Sequence, residues 1–275
     1  MFGIKICKGY IKMKRKIGIL ALTLCLVLGL VGCSSENNAS SSEKGETVEL
    51  NISAAASLQE AMKEIETEFK KVNPDVKLVV NLGASGALMQ QIQEGAPCDV
   101  FISAGAKQMN QLIDDGIVEK DDSKTLLIND LVLVAAKGEK VDSLDALKGD
   151  DISKIAIGDP ESVPAGKYGK EVLDNTNLYD SVKDKLVLAK DVKEVLSWVQ
   201  QGNAQVGFVY LSDTVGIDNI DVVLTTDKDT HSLIAYPIAV LKESKQNEAA
   251  KKFEEFMLSE DGQAILEKYG FKKAE

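Results

Sequence analysis

Strand-like runs alternate with segments whose apolar residues recur at helical spacing through most of this chain. That alternation limits the fold more than any other feature. Val48–Ala54 (VELNISA) reads as a strand, and after Ser57 the residues Leu58, Met62, Ile65 and Phe69 share one helical face. Lys77–Asn81 reads as a second strand, followed by a helix that Ser85 opens, carrying Leu88, Met89 and Ile92. Asp99–Ser103 precedes a helix with Met109, Leu112 and Ile113. Leu131–Ala136 (LVLVAA) is apolar on both faces, as a buried strand is. Lys154–Gly158 leads through a proline-rich turn to a helix near Ala165–Asp174. Asp191 or its neighbour opens a helix with Val192, Val195, Leu196 and Val199, and Gln205–Tyr210 is again strand-like. Ser232–Leu241 is a long extended stretch, and two helices follow, the first with Ala249, Phe253, Phe256 and Met257, the second with Ala264, Ile265 and Tyr269.

This order predicts an α/β fold with mostly parallel sheets. The body after position 47 has about 228 residues, long for one doubly wound sheet and suited to two lobes. The apolar stretches 131–136 and 232–241 are the candidates for crossing between lobes. No internal repeat at a solenoid period is visible.

The first 32 residues have a different character. They carry Lys5, Lys8, Lys12, Lys14, Arg15 and Lys16, no acid, and then the apolar run Ile17–Val31. A basic stretch followed by such a run is the pattern of a secretory signal, with Met13 as an alternative start. A membrane-spanning anchor is the competing reading, but the run falls short of the ~20 residues a spanning helix needs. It ends Leu30-Val31-Gly32-Cys33, which resembles a bacterial lipobox, so Cys33 is the expected lipidation site. Residues 33–47 then read as the lipidated cysteine and a Ser/Asn/Glu-rich tether. Cys7 and Cys25 fall in the signal, so Cys98 stands alone in the body, without a disulfide partner or a CxxC metal motif.

Enzyme motifs are scarce. His231 is the single histidine, in a turn-like DKDTHS segment, and GxSxG, HExxH, GxxxxGK[ST] and GxGxxG are all missing. Acid pairs such as Asp159 and Glu161 are expected by chance in a chain with 43 Asp and Glu. More informative are three junctions where small residues lie at the start of a helix: Ala54–Leu58, Gly83–Gly86 and Pro164–Gly166. A helix N-terminus carries unpaired N–H groups and the positive end of a dipole, and small side chains let a ligand reach them. Several such ends on one point would bind an anion without a charged side chain. Taken singly, Ser57 and Ser85 are better read as caps of their own helices, because N-cap serines are so common.

Five segments carry a family resemblance: AAASLQEAMKEIETEFK (54–70), GASGALMQQIQEGAPCDVFISA (83–104), IGDPESVPAGKYGKEVL (157–173), AKDVKEVLSWVQQGNAQVGFVYLSDT (189–214) and YPIAV (236–240). With ILEKYGF (265–271) they resemble the ModA family, the molybdate-binding proteins of molybdate ABC transporters. The resemblance implies a two-lobed periplasmic-binding-protein fold of type II, without catalytic activity or cofactor, closing on molybdate or tungstate in the cleft between its lobes. It implies lobe 1 over 48–130 and 233–275 and lobe 2 over 131–232. It implies hydroxyl and N–H donors from Ser57 and Ser85, N–H donors from Ala165 and Val192, and the phenol of Tyr210. It further implies a monomeric receptor on the outer face of a bacterial membrane that delivers its ligand to a permease and its ATPase. Gly86 departs from the family, in which a second hydroxyl residue often follows the serine. A receptor for sulfate or thiosulfate, or an α/β enzyme using the acids and His231, are the alternatives.

Charge sharpens this expectation. The whole chain has 32 basic and 43 acidic residues, a net charge of −11. Without the six leader cations it becomes −17, which argues against a nucleic-acid partner. A field of that sign mildly repels an anion at distance. Affinity for a dianion must then come from local, fixed, neutral donors.

Overall fold

The computed structural model describes residues 47–274. The signal, Cys33 and nearly all of the tether expected above lie outside the described residues. Among the described residues no helix is long and apolar enough to cross a membrane.

The chain builds one sheet, leaves it to build a second, and returns. β1 (Val48–Ala55), β2 (Val76–Gly83), β3 (Val100–Ile102) and β4 (Lys124–Ile128) come first, with α1 (Gln59–Val72), α2 (Ser85–Gln93) and α3 (Ala106–Asp114) between them. The second sheet takes β5 (Leu131–Ala136), β6 (Ile155–Gly158), β7 (Leu186–Ala189), β8 (Val206–Tyr210) and β9 (Ile220–Thr225). Its helices are α4 (Pro164–Asn175), the short α5 (Tyr179–Val182) and α6 (Val192–Gln200). The return adds β10 (Ala235–Val240), α7 (Asn247–Leu258), α8 (Glu260–Lys268) and β11 (Lys272–Lys273). The strand orders are β11-β4-β10-β3-β1-β2 and β7-β6-β8-β5-β9.

Both sheets are mixed rather than mostly parallel. β1 runs parallel to β2 and β3, and β6 runs parallel to β7 and β8. The strand that enters each sheet from the other is antiparallel to its neighbours: β5 to β8 and β9, β10 to β3 and β4. A parallel pairing needs a long crossover, usually a helix, to bring the chain back to its starting end. A strand arriving directly from the other sheet needs none.

β5 and β10 each lie wholly within one sheet. The crossings are made by the segments just before them, 129–130 and 226–234. These run side by side: the Asn129 N–H donates to the Ile234 carbonyl at 3.0 Å, and the Thr226 N–H donates to that of Leu131 at 3.0 Å.

The helices form where the apolar periodicity requires. α1 buries Met62, Ile65 and Phe69, and the Phe69 ring meets Phe253 and Phe256 of α7 edge to face at 5.4 and 5.5 Å. Burying one such ring contributes about 1.5–3 kcal/mol. That contact ties the returning C-terminal helices to the first helix of the fold. A smaller cluster around Leu88, Phe101, Met109 and Leu112 packs α2 and α3 on the first sheet. Half-buried Cys98 packs at its edge.

Candidate ligand-binding site

Each sheet sends the C-terminal ends of its parallel strands toward one cavity, the region where open α/β sheets bind ligands. From the first sheet, β1 passes through a 3₁₀ turn (Ala56–Leu58) into α1, and β2 passes through Ala84 into α2. From the second come the starts of α4 and α6 and the end of β8. Ser57, Ser85, Ala165, Val192 and Tyr210 all line this cavity and all are buried. Its volume is about 10 Å³, against about 380 and 370 Å³ in two surface grooves. Room of that size suits a compact ligand.

Neither serine caps its helix. The N-cap positions belong to Ala55 and Ala84, and no side chain makes a capping bond at either. Ser85 is the first residue of α2, and its Oγ accepts the Ala104 N–H at 2.9 Å. Having accepted that hydrogen bond, the Ser85 hydroxyl keeps its own proton to donate toward the cavity. The Ser57 Oγ lies 2.9 Å from the Tyr236 Oη.

The backbone supplies further donors. Ser85 and Val192 are the first residues of their helices and Ala165 the second, so their N–H groups have no acceptor within the helix. Ser57 holds the equivalent place in its 3₁₀ turn. The starts of α2, α4 and α6 therefore bring the positive ends of three helix dipoles to one point. Gly166 makes the close packing of α4 possible, since a Cβ there would sit 1.9 Å from the Gly158 carbonyl oxygen.

No lysine or arginine lines the cavity, and Asp191 is the one acid on its wall. The Asp191 carboxylate is turned to its own helix, where it accepts the Glu194 N–H at 2.8 Å. His231 lies elsewhere, its ring edge-on to Tyr168 at 6.0 Å. Asp159 and Glu161 sit in a turn where the Asp159 carboxylate accepts the Glu161 N–H. Among the described residues no group of three or more His, Cys, Asp or Glu side chains could hold a metal ion.

Tyr210 is fixed from two sides. Its phenol donates to the Ala104 carbonyl at 3.3 Å, so a ligand oxygen would compete for that proton. Its N–H donates to the Asp213 carboxylate at 3.2 Å. Lys193 Nζ approaches the other Asp213 oxygen to 2.8 Å as an ion pair, without the alignment of a hydrogen bond. Burial pushes the Asp213 carboxyl up, and Lys193 opposes it. Burial also holds the phenols of Tyr210 and Tyr236 well above their ordinary range, so both keep their protons.

Sequence reasoning missed Ala104, Asp213 and Tyr236. All three fall in segments that carried the resemblance (DVFISA, VYLSDT and YPIAV), but nothing in their residue types marked them. Gly86 offers no hydroxyl where the family often has one. Its N–H instead donates to the Ser162 carbonyl at 2.9 Å, joining α2 on the first sheet to the turn before α4 on the second.

Residues 50–272 match the family model for bacterial extracellular solute-binding proteins. The chain belongs to that family. This solute-binding protein is therefore a binding protein and not an enzyme. It is 42% identical over 94% of its length to a candidate ABC transporter substrate-binding lipoprotein of Bacillus subtilis, YvgL, covering 99% of that protein. It is 37% identical to the Escherichia coli molybdate-binding protein ModA, over 81% of this chain and 88% of the relative. Among solved structures it resembles the substrate-binding domain of a candidate molybdenum ABC transporter from Clostridium difficile. The identity is 61% and the TM-score 0.66, over 83% of this chain and all of the other. The two-lobed fold, with its cavity between two mixed sheets, is that of periplasmic binding proteins.

Proposed function

We propose that this solute-binding protein captures molybdate, and tungstate equally, and hands it to an ABC permease driven by its ATPase. The cavity itself carries the reading: it is small, set between two sheets, lined by N–H and O–H donors, and free of cationic side chains. Molybdate near neutral pH is a dianion with four acceptor oxygens and no proton. A site of donors alone suits it. Hydrogen phosphate would bring an O–H with no acceptor to meet it, a buried unsatisfied group costing ~1–3 kcal/mol. Sulfate is also fully deprotonated, so hydrogen bonding cannot exclude it and cavity size must. Molybdate and tungstate, both larger, should not be told apart. The relatives named above for molybdate and molybdenum support the same ligand.

Titration followed by calorimetry, or by the fluorescence of Trp198 on α6, tests this. Tight binding of molybdate and tungstate with weak binding of sulfate is the expected result. Equal affinity for sulfate would overturn the size argument and make this a general oxyanion receptor.

In this reading Ser57, Ser85, Ala165, Val192 and Tyr210 are the ligand-binding residues. Lobe 1 spans 48–130 and 233–275, lobe 2 spans 131–232, and the protein works as a monomer. The lobes close about the paired segments 129–130 and 226–234. The protein sits on the outer face of the membrane, held through a lipid on Cys33, in keeping with the lipoprotein designation of its Bacillus subtilis relative. Cys33→Ser is expected to release it into the soluble fraction after expression in a host with lipoprotein processing. Retention in washed membranes would remove the lipid anchor from the account.

A further inference from the structure

Behind Ser57 lies a buried polar chain that the ligand-binding residues do not account for. Ser57, Tyr236, Asn129 and Ser212 are all buried. The Asn129 Oδ1 accepts the Asp130 N–H at 2.9 Å, which fixes the orientation of the amide. Its Nδ2 therefore faces the other way, donating to the Ser212 Oγ at 2.9 Å and to the Tyr236 Oη at 3.4 Å. An amide nitrogen has two protons and no acceptor capacity, so both bonds run outward from Asn129.

The next bond, between two hydroxyls, can run either way by its geometry. The Tyr236 oxygen accepts from Asn129 and has one proton of its own. The Ser57 Oγ lies 2.9 Å from it, and the Tyr210 phenol, whose own proton goes to the Ala104 carbonyl, stands beside it. With Tyr236 as the donor of this bond, Ser57 keeps its own proton and has the cavity in front of it. Ser85 has the same arrangement, with the Ala104 N–H in the place of the phenol.

We propose that Asn129 and Tyr236 are positioning residues whose one-way hydrogen-bond relay turns the Ser57 hydroxyl into a fixed donor toward a fully deprotonated oxyanion. The proposal rests on the oxyanion reading above. It makes Tyr236 a determinant of affinity although its ring lies behind the cavity wall, packed edge-on to Tyr210 at 5.6 Å and Phe271 at 5.7 Å. It also places the source of the relay on Asn129, in the first of the two segments that join the sheets.

A double-mutant cycle on the whole mature protein tests it, with molybdate as the probe. Tyr236→Phe keeps the ring and removes only the donor. In the Ser57 background it is expected to weaken molybdate binding about tenfold, the scale of one charge-assisted hydrogen bond. In the Ser57→Ala background it should change nothing, because there is no hydroxyl left to orient. A merely structural role for the phenol would give the same loss in both backgrounds, and that result, or no loss in either, overturns the relay. Should Tyr236→Phe not fold, Asn129→Leu, which removes the donor behind Tyr236, goes through the same cycle with the same criterion. Wild-type protein that does not bind molybdate overturns the oxyanion reading and the relay together. Wild-type binding with equal losses in the two backgrounds overturns the relay alone.

Discussion

Gly86→Ala is expected to weaken ligand binding by roughly ten- to a hundredfold while leaving the ligand-free protein folded. A Cβ at position 86 would lie 2.4 Å from the Ser162 carbonyl oxygen and 2.8 Å from the Ser162 Cα. Both atoms are backbone, so they can retreat only if the turn before α4 retreats with them. That turn belongs to the second sheet and Gly86 to a helix on the first. The added methyl therefore wedges the cleft instead of straining either half. Overpacking of this kind costs ~1–3 kcal/mol, and each 1.4 kcal/mol is about tenfold in affinity. The N–H bond from Gly86 to Ser162 would stretch as well. With the cleft open the methyl is harmless, since alanine is the better helix former by ~1 kcal/mol. Calorimetry with molybdate and a melting curve without it separate the two effects. Unchanged affinity would mean that this contact does not govern closure.

Lys193→Met should produce the largest loss of stability. Asp213 is fully buried at its side chain, and Lys193 is its one cationic partner among the described residues. Removing that partner leaves a carboxylate buried with only the Tyr210 N–H to satisfy it. Orphaned buried charges cost ~3–5 kcal/mol, and the lower end, roughly 3 kcal/mol, applies here. Lys193 is itself a quarter exposed, and part of its effect is screened by solvent. The pH dependence has a definite sign. Burial already raises the Asp213 carboxyl above its ordinary value, and loss of Lys193 raises it further. The folded state then holds its proton at pH values where the unfolded chain has released it, so stability falls as the pH rises through that window. The deficit should be full at neutral pH and shrink toward the ordinary carboxylate range. Denaturant titrations of both proteins near pH 7 and pH 5 measure it. A deficit of the same size at both would show that the variant loses packing rather than charge compensation.

Much of this was legible in the residues, and the parts that were not have physical causes. β5 could be read because LVLVAA is buried on both faces, between β8 and β9. α1 could be read because its apolar residues keep one stripe. β4, β7 and β9 were not recognised as strands. β7 is a four-residue strand at the edge of its sheet with Leu188 exposed, and β9, at the opposite edge, exposes Val222. Edge strands without a clean apolar alternation carry no local signal. The sheets were expected to be mostly parallel because strand–helix alternation is silent about a strand that arrives from elsewhere. At the site, the junctions Ala54–Leu58, Gly83–Gly86 and Pro164–Gly166 stood out because small residues at helix starts are a chemical pattern. Which partner each hydroxyl chooses is not. That Ser57 meets Tyr236, 179 positions away, is a property of the assembled fold and leaves no trace in either residue's neighbours.

The route of the chain has a consequence for how the molecule comes to exist. All five strands of the second sheet lie in one unbroken stretch, from Leu131 to Thr225. The first sheet is split around it, and β10, placed between β3 and β4, arrives only after that stretch is finished. As the chain emerges from its N-terminus, the second half can therefore close on itself while β3 and β4 still wait for the strand that joins them. Non-local pairings of this kind are slow to form and leave strand edges open meanwhile. The half that is begun first is completed last, and with it the wall of the cavity that carries Ser57 and Ser85. A nascent chain cut short before Ala235 would hold every strand of the second sheet and no receptor.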